Sequence, residues 1–413
     1  MPLSVENDVT TANASADRPH AVVFGASVRW AAQSFHRSDT PVLACDAFGD
    51  QDTRSLSVGW RHWGSSQQAA EVARQWGQRH RVPAIEVSGS VCSLKPAMPW
   101  HQWKSLVEAA GLVVPETIPA GDLSMSKLRE LAHTGNWLCK RSGSCGGLGV
   151  RQLNFDINRD FDEHDLIQER VVGRPLGIVA FRQQSRTTVI GACRGITKKL
   201  NWTDPDDCLP FVYAGSVGTC RLPHLKWNCI SRLAASLGDV LDLRGLLNLD
   251  FVLSRSGALW CLEINSRPSA SCEIVEWDLT RREILSADDS LMRWHLDAIN
   301  GGCPVRGNQY AHINHITSVR STQRECPTRI KRVLYARRPL TVIPAQLPVH
   351  PVMLASGVRA WVTDIPVDRT DVPRNTPVVT MHLECDPNVP AANWIRRFES
   401  QLTQQLAMNR GDS

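Results

Sequence analysis

The chain has 413 residues, 42% of them hydrophobic and 21% charged, which fits two or three ordinary globular domains. Its 46 Lys and Arg against 41 Asp and Glu leave a formal charge of +5. That excess suits an anionic ligand such as a nucleotide but is too small to mark a nucleic-acid binder. No run approaches the ~20 apolar residues of a membrane-spanning helix, so a membrane is not an expected partner.

Met1 to His20 is polar and carries Glu6, Asp8 and Asp17, without the basic start and apolar centre of a secretory signal. It reads as a short disordered tail. The 13 cysteines run from Cys45 to Cys385 with no CxxC pair, which predicts reduced, buried thiols in a cytoplasmic protein rather than a disulfide or zinc framework. The 14 tryptophans are dispersed and suggest no function.

Ala21 to Gly25 reads as a buried strand, Ser27 to Phe35 as a helix, and Pro41 to Cys45 as a second strand. Gln67 to Arg79 is helical and Ala84 to Val87 a third strand. Such alternation predicts a parallel sheet with right-handed crossovers. Trp103 to Ala110 is a helix stopped by Gly111, and Trp137 to Lys140 is a strand feeding the loop Ser142-Gly-Ser-Cys-Gly-Gly-Leu-Gly149. Leu166 to Gln168 reads as a strand, Gly177 to Arg182 and Thr187 to Arg194 as a hairpin, and Ile230 to Leu241 as a helix. Leu247 to Leu253 and Leu259 to Ile264 are strands joined by the turn Ser254-Arg-Ser-Gly257. From about 310 onward the chain is Pro-rich with short strands such as Arg332 to Ala336, and it ends in a helix from Ala392 to Met408.

The strongest chemical signal is that last strand pair. Asp250 and Glu263 can lie side by side across the tight turn, and Asn265 shares the face of Glu263 because strand side chains alternate. Two carboxylates and an amide oxygen form a hard-oxygen set suited to Mg2+ or Mn2+ bridging phosphates. Arg267, two residues further, could hold phosphate oxygens bidentately. Ordinary surface charge on an edge hairpin is the bland alternative, but carboxylates inside apolar strands argue against it. Lys140 and the glycines Gly143, Gly146, Gly147 and Gly149 form a second signal, a point charge and a loop whose amides can approach phosphate oxygens. The loop follows neither the Walker nor the Rossmann pattern. A third, weak signal is Gln168-Glu169-Arg170-Val171, a strand end offering backbone groups to an adenine edge.

Taken in this order, the three features resemble the ATP-grasp superfamily of carboxylate–amine ligases. The resemblance implies that Lys140, Gly143, Gly146, Gly147 and Gly149 grip the phosphates, and that Gln168, Glu169 and Val171 line an adenine-binding hinge. It gives Asp250, Glu263 and Asn265 the role of metal ligands and Arg267 that of steadying the acyl-phosphate. Arg194 is a candidate for a substrate carboxylate, with a surface arginine the equal alternative. Two departures stand out: Gly173 is followed by Arg174 rather than an acid for the ribose, and the usual early lysine is either Lys95 or Lys104. The stretches Gly25-Ala-Ser-Val-Arg29, Asp46-Ala-Phe-Gly-Asp50 and Phe211-Val-Tyr-Ala-Gly215 are similar to a bacterial subgroup associated with one-carbon cofactor biosynthesis. Val362-Thr-Asp-Ile-Pro366 resembles the small C-terminal β unit of some members.

The expected fold is therefore α/β and α+β. After the tail at 1–19 come a pre-ATP-grasp parallel βαβ domain at 20–103, an ATP-grasp domain of two α+β lobes at 104–305, and a small β-rich unit at 306–413. The implied activity is ATP- and Mg2+-dependent joining of a small-molecule carboxylate to an amine, in a protein for which a homodimer is compatible. A non-catalytic ATP-binding regulatory module is the alternative. An NAD-binding role for Gly25 and Asp46 lacks the G-x-G-x-x-G series, and His312 with His315 has no acidic partner nearby to make a metal site.

Overall fold

The computed structural model describes residues 18–63, 66–87, 98–141, 143–154, 162–201, 208–318, 327–367 and 369–408. Most of the expected tail, together with Lys95, lies outside them. Ala21–Gly25 and Val42–Asp46 are wholly buried, as continuous apolar strands in a sheet covered on both faces should be. They pair in parallel with each other and with Ala84–Glu86 and Gly59–His62, giving the expected parallel sheet. Successive residues of the first strand enter different cores. Ala21 and Val23 pack with the helix Arg29–Arg37, whereas Val22 and Phe24 pack with the helix Ser66–His80.

The first of those cores continues into the rest of the molecule. Phe35 and Ala31 share it with Trp294 on the helix Leu291–Ile299, and with Phe181 and Leu246 on two strands of a second sheet. Trp294 is fully buried with its ring 5.6 Å from that of Phe181. Many of the dispersed tryptophans are core residues of this kind, among them Trp76, Trp103, Trp137 and Trp227. None of the eleven cysteines among the described residues is joined in a disulfide.

The second sheet has nine antiparallel strands and organises the molecule. In spatial order they are Leu259–Asn265, Gly245–Ser254, Gly173–Gln183, Arg186–Asn201, Cys208–Thr219, Thr328–Tyr335, Pro377–Cys385, Val358–Thr363 and Val352–Ala355. The strand Cys208–Thr219 was not foreseen, because Pro210, Gly215 and Gly218 weaken its pattern. Pairing on both sides holds it in place, and bulges along its own length against Arg186–Asn201 take up the irregular residues. It also pairs with Thr328–Tyr335, so the C-terminal strands extend the same sheet instead of building one apart.

A third sheet, Thr117–Pro119, Leu166–Glu169, Trp137–Lys140 and Val150–Gln152, is small and antiparallel. Its covering helix, Met125–Thr134, begins at Ser124, whose hydroxyl accepts the Lys127 amide, and ends at Gly135 in the left-handed conformation. Residues 170–172 carry the chain from this sheet to the large one.

Candidate functional site

The register of the hairpin places Asp250 directly opposite Glu263, and Asn248 opposite Asn265. All four side chains line one cavity of about 350 Å³, a size suited to a small molecule. The Asn265 amide nitrogen donates to Asp250 Oδ2 at 3.0 Å and to Glu263 Oε1 at 3.2 Å, so an N–H donor already bridges the two carboxylates where a cation would. Asn248 donates to Asp250 Oδ1 at 2.9 Å, and its own Oδ1 accepts the Ser269 hydroxyl at 2.9 Å. Burial, and then the neighbouring Glu263 charge, push the Asp250 carboxyl up to about 7. The cluster is short of positive charge, and its donors are all oxygen once the Asn265 amide turns its Oδ1 inward. On both counts it fits Mg2+.

Arg267 is 8% exposed and lines the same cavity, with Nη1 held 3.4 Å from Glu86 at the end of a strand of the parallel sheet. Lys140 lies near enough for its charge to favour the ionised form of Asp250. The glycine loop joins the strands Trp137–Lys140 and Val150–Gln152 and rests on Cys208–Thr219, where the Tyr213 amide donates to the Gly146 carbonyl at 2.8 Å. Gly147 has φ +77°, and a Cβ there would meet the Phe211 carbonyl oxygen at 2.1 Å, so glycine is needed for this docking. Gly143 and Gly146 also have positive φ, whereas at Gly149 a Cβ would meet chiefly the movable Ser144 side chain. Of these four glycines only Gly146 lines the cavity.

The remaining candidates divide. Gln168 is buried and donates to Thr117 Oγ1 at 2.9 Å, and the Glu169 and Arg170 amides bond to Glu116 and Asn136. Their side chains and amides are thus spent inside the small sheet, while the backbone of Val171 bonds to no described residue. None of Gln168, Glu169 and Val171 lines the cavity, since they sit at the joint between the two sheets. Arg194 is exposed and outside the cavity. Strand alternation explains it: Cys193 faces the Ser271 carbonyl at the cavity side, so Arg194 points the other way. Lys104 is an exposed helix residue paired with Glu108. His312 is exposed, and among the described residues no group of three or more His, Cys, Asp or Glu is arranged to hold a metal.

Sequence reasoning missed Asn248, although its place two residues before Asp250 signals a shared face. It also missed a second wall of the cavity, built by Ser27, Arg29, Asp50, Lys331 and Asp364. Arg29 is fully buried and grips Glu273 with two bonds of 2.7 and 3.0 Å, while its Nε donates to Asp364 at 3.1 Å. Lys331 Nζ is 2.6 Å from the same Glu273. Burial works to raise the Glu273 and Asp364 carboxyls, but Arg29 and Lys331 hold both below their ordinary range. The signal available was the set of short stretches around Arg29, Asp50, Tyr213 and Asp364, which looked unrelated in sequence and converge here.

Residues 100–271 match the family model described as the ATP-grasp domain. No curated protein matches the chain. Among solved structures, N5-carboxyaminoimidazole ribonucleotide synthetase from Thermotoga maritima is similar at 12% identity and TM-score 0.54, with 94% of this chain and 98% of that one covered. L-amino acid ligase from Bacillus licheniformis is similar at 11% identity and TM-score 0.56, covering 93% and 98%. The biotin carboxylase domain of Hydrogenobacter thermophilus 2-oxoglutarate carboxylase, in complex with MgADP, ADP and bicarbonate, has 11% identity and TM-score 0.57, covering 88% and 85%. The parallel unit, the two antiparallel sheets and the matched segment agree: residues 100–271 match the ATP-grasp domain, and the chain's fold is similar to that of these enzymes.

Proposed function

We propose that the protein is an ATP-dependent ligase that forms a C–N bond between a small carboxylate and an amine through an acyl-phosphate, releasing ADP and phosphate. The observation that carries this reading is the opposed pair Asp250 and Glu263, bridged by Asn265 and facing a cavity that Arg267 also lines. Those three residues would hold Mg2+, which supplies charge neutralisation on the phosphates. Lys140 and the loop Gly143 to Gly149 would bind the phosphates, and Val171 would offer its free backbone to adenine. Arg267, anchored by Glu86, is positioned to stabilise charge that grows on the transferring phosphoryl group. Docking of the loop on Cys208–Thr219 would keep water from the acyl-phosphate. No side chain need act as nucleophile, so catalysis would be positioning and electrostatics.

The neighbours support the reading because one is an L-amino acid ligase and another an N5-carboxyaminoimidazole ribonucleotide synthetase. The test is an ADP-release screen over carboxylate–amine pairs. Active wild type alongside an inactive, folded Glu263→Ala is the expected result. An ATP-binding protein without turnover on any pair would point to the regulatory module, and undiminished turnover in the variant would refute the metal assignment.

A further inference from the structure

The second wall of the cavity holds a carboxylate that the fold leaves unanswered. Asp50 is only 6% exposed, lines the cavity, and its Oδ2 is shielded from solvent with no hydrogen-bond partner. Buried carboxylates are otherwise paired or hydrogen-bonded, because stripping one of water is costly. Its acidic neighbours do have partners. Asp46 accepts the Gly49 amide and the Trp60 indole, both at 2.8 Å. Asp52 accepts the amides of Asp364 and Ile365 at 2.8 and 3.1 Å. Asp364 accepts Arg29 Nε and sits at φ +55°, a left-handed conformation that aspartate tolerates and that marks a constrained position.

Charge points to the missing partner. Among the described residues Asp46, Asp50, Asp52, Glu273 and Asp364 have Arg29, Lys331 and Arg329 as their cations, with Arg29 and Lys331 committed to Glu273 or Asp364 and Arg329 set against Glu273. His382, beside Glu273, is buried and held neutral. The wall is therefore short of positive charge at Asp50. Burial, and then Asp364, Asp46 and Asp52, push that carboxyl up to about 9, a state a contacting cation would reverse. An organic cation with N–H donors suits one unpartnered carboxylate beside a half-buried second one and the Ser27 hydroxyl.

We propose that Asp50, with Asp364 and Ser27, forms the recognition site for a primary ammonium group on the amine substrate. This deepens the ligase reading and rests on it. The one cavity then holds Arg267 and the Asp250–Glu263 pair for the activated carboxylate and Asp50 for the ammonium.

The test uses the full chain and the conservative Asp50→Asn, which keeps shape and removes charge, with Asp50→Ala as a second variant and circular dichroism as the check on folding. Saturation-transfer NMR with butylammonium chloride as probe should give a dissociation constant raised about 10- to 100-fold in Asp50→Asn, and n-butanol should not compete. Equal binding of butylammonium by wild type and both variants, or competition by butanol, would overturn the proposal even if no turnover is found for any substrate. In turnover assays, Asp50→Asn should raise KM for butylamine, ethanolamine or glycinamide by a similar factor with KM for ATP little changed. Hydroxylamine, which arrives uncharged, should trap the acyl-phosphate with a much smaller loss. A wild type that forms no hydroxamate with any carboxylate would count against the ligase reading, while the NMR result still decides the subsite.

Discussion

The two walls of the cavity are made in different ways. One is a single hairpin: Asp250, Glu263 and Asn265 lie within a few residues of a tight turn, and strand register alone brings them together. The other draws Ser27, Arg29 and Asp50 from the loops and helix that follow strands of the parallel sheet, and Lys331 and Asp364 from within and just after strands near the C-terminus, joined by ion pairs across more than 240 positions of sequence. A local wall is specified by periodicity and survives as a unit. An assembled wall depends on the whole fold and on compensated buried charge.

That difference can be broken or sharpened experimentally. The largest effect belongs to the local wall: Glu263→Ala should lower kcat about 10³-fold while the melting temperature stays level or rises, because a like-charge neighbour of Asp250 is removed. Loss of activity through unfolding would contradict it. Lys140→Ala should cost a few hundredfold in kcat/KM for ATP, measured by ADP release, with its dependence on the amine unchanged.

Behind the hairpin, His295 Nδ1 accepts the Leu246 amide at 2.9 Å, and burial lowers its imidazole to about 4. The unfolded chain takes up that proton near pH 6.5 and the folded one does not, so stability is full above pH 6.5 and falls as pH drops toward 4, by roughly 3 kcal/mol. Urea denaturation at several pH values should show this slope and lose it in His295→Asn. An unaltered slope would place the titration elsewhere. The smallest effect is expected at Gly147→Ala, where strain falls only on the docked loop: KM for ATP should rise about tenfold with hardly any change in global melting. A large fall in melting temperature would show that the loop is part of the core.

Legibility in the sequence follows the same division. The parallel strands, the hairpin and the Asp250–Glu263 opposition could be read because each depends on residues close in the chain. Asn248 could have been read by the same rule and was not. The strand Cys208–Thr219 was hidden by its proline and glycines, since long-range pairing rather than propensity forms it. Arg194 looked like a ligand because its strand was recognised but not which face met the cavity, and parity decided against it. Asp50 and Asp364 were visible only as parts of unexplained short stretches. Their meeting is a property of topology, which a list of local signals does not encode.

The most direct measurement of the central claim is anomalous diffraction from crystals grown with Mn2+ and a non-hydrolysable ATP analogue. A manganese peak should stand between the carboxylates of Asp250 and Glu263, beside the analogue's phosphates. A peak elsewhere, or phosphates bound away from that hairpin, would contradict it.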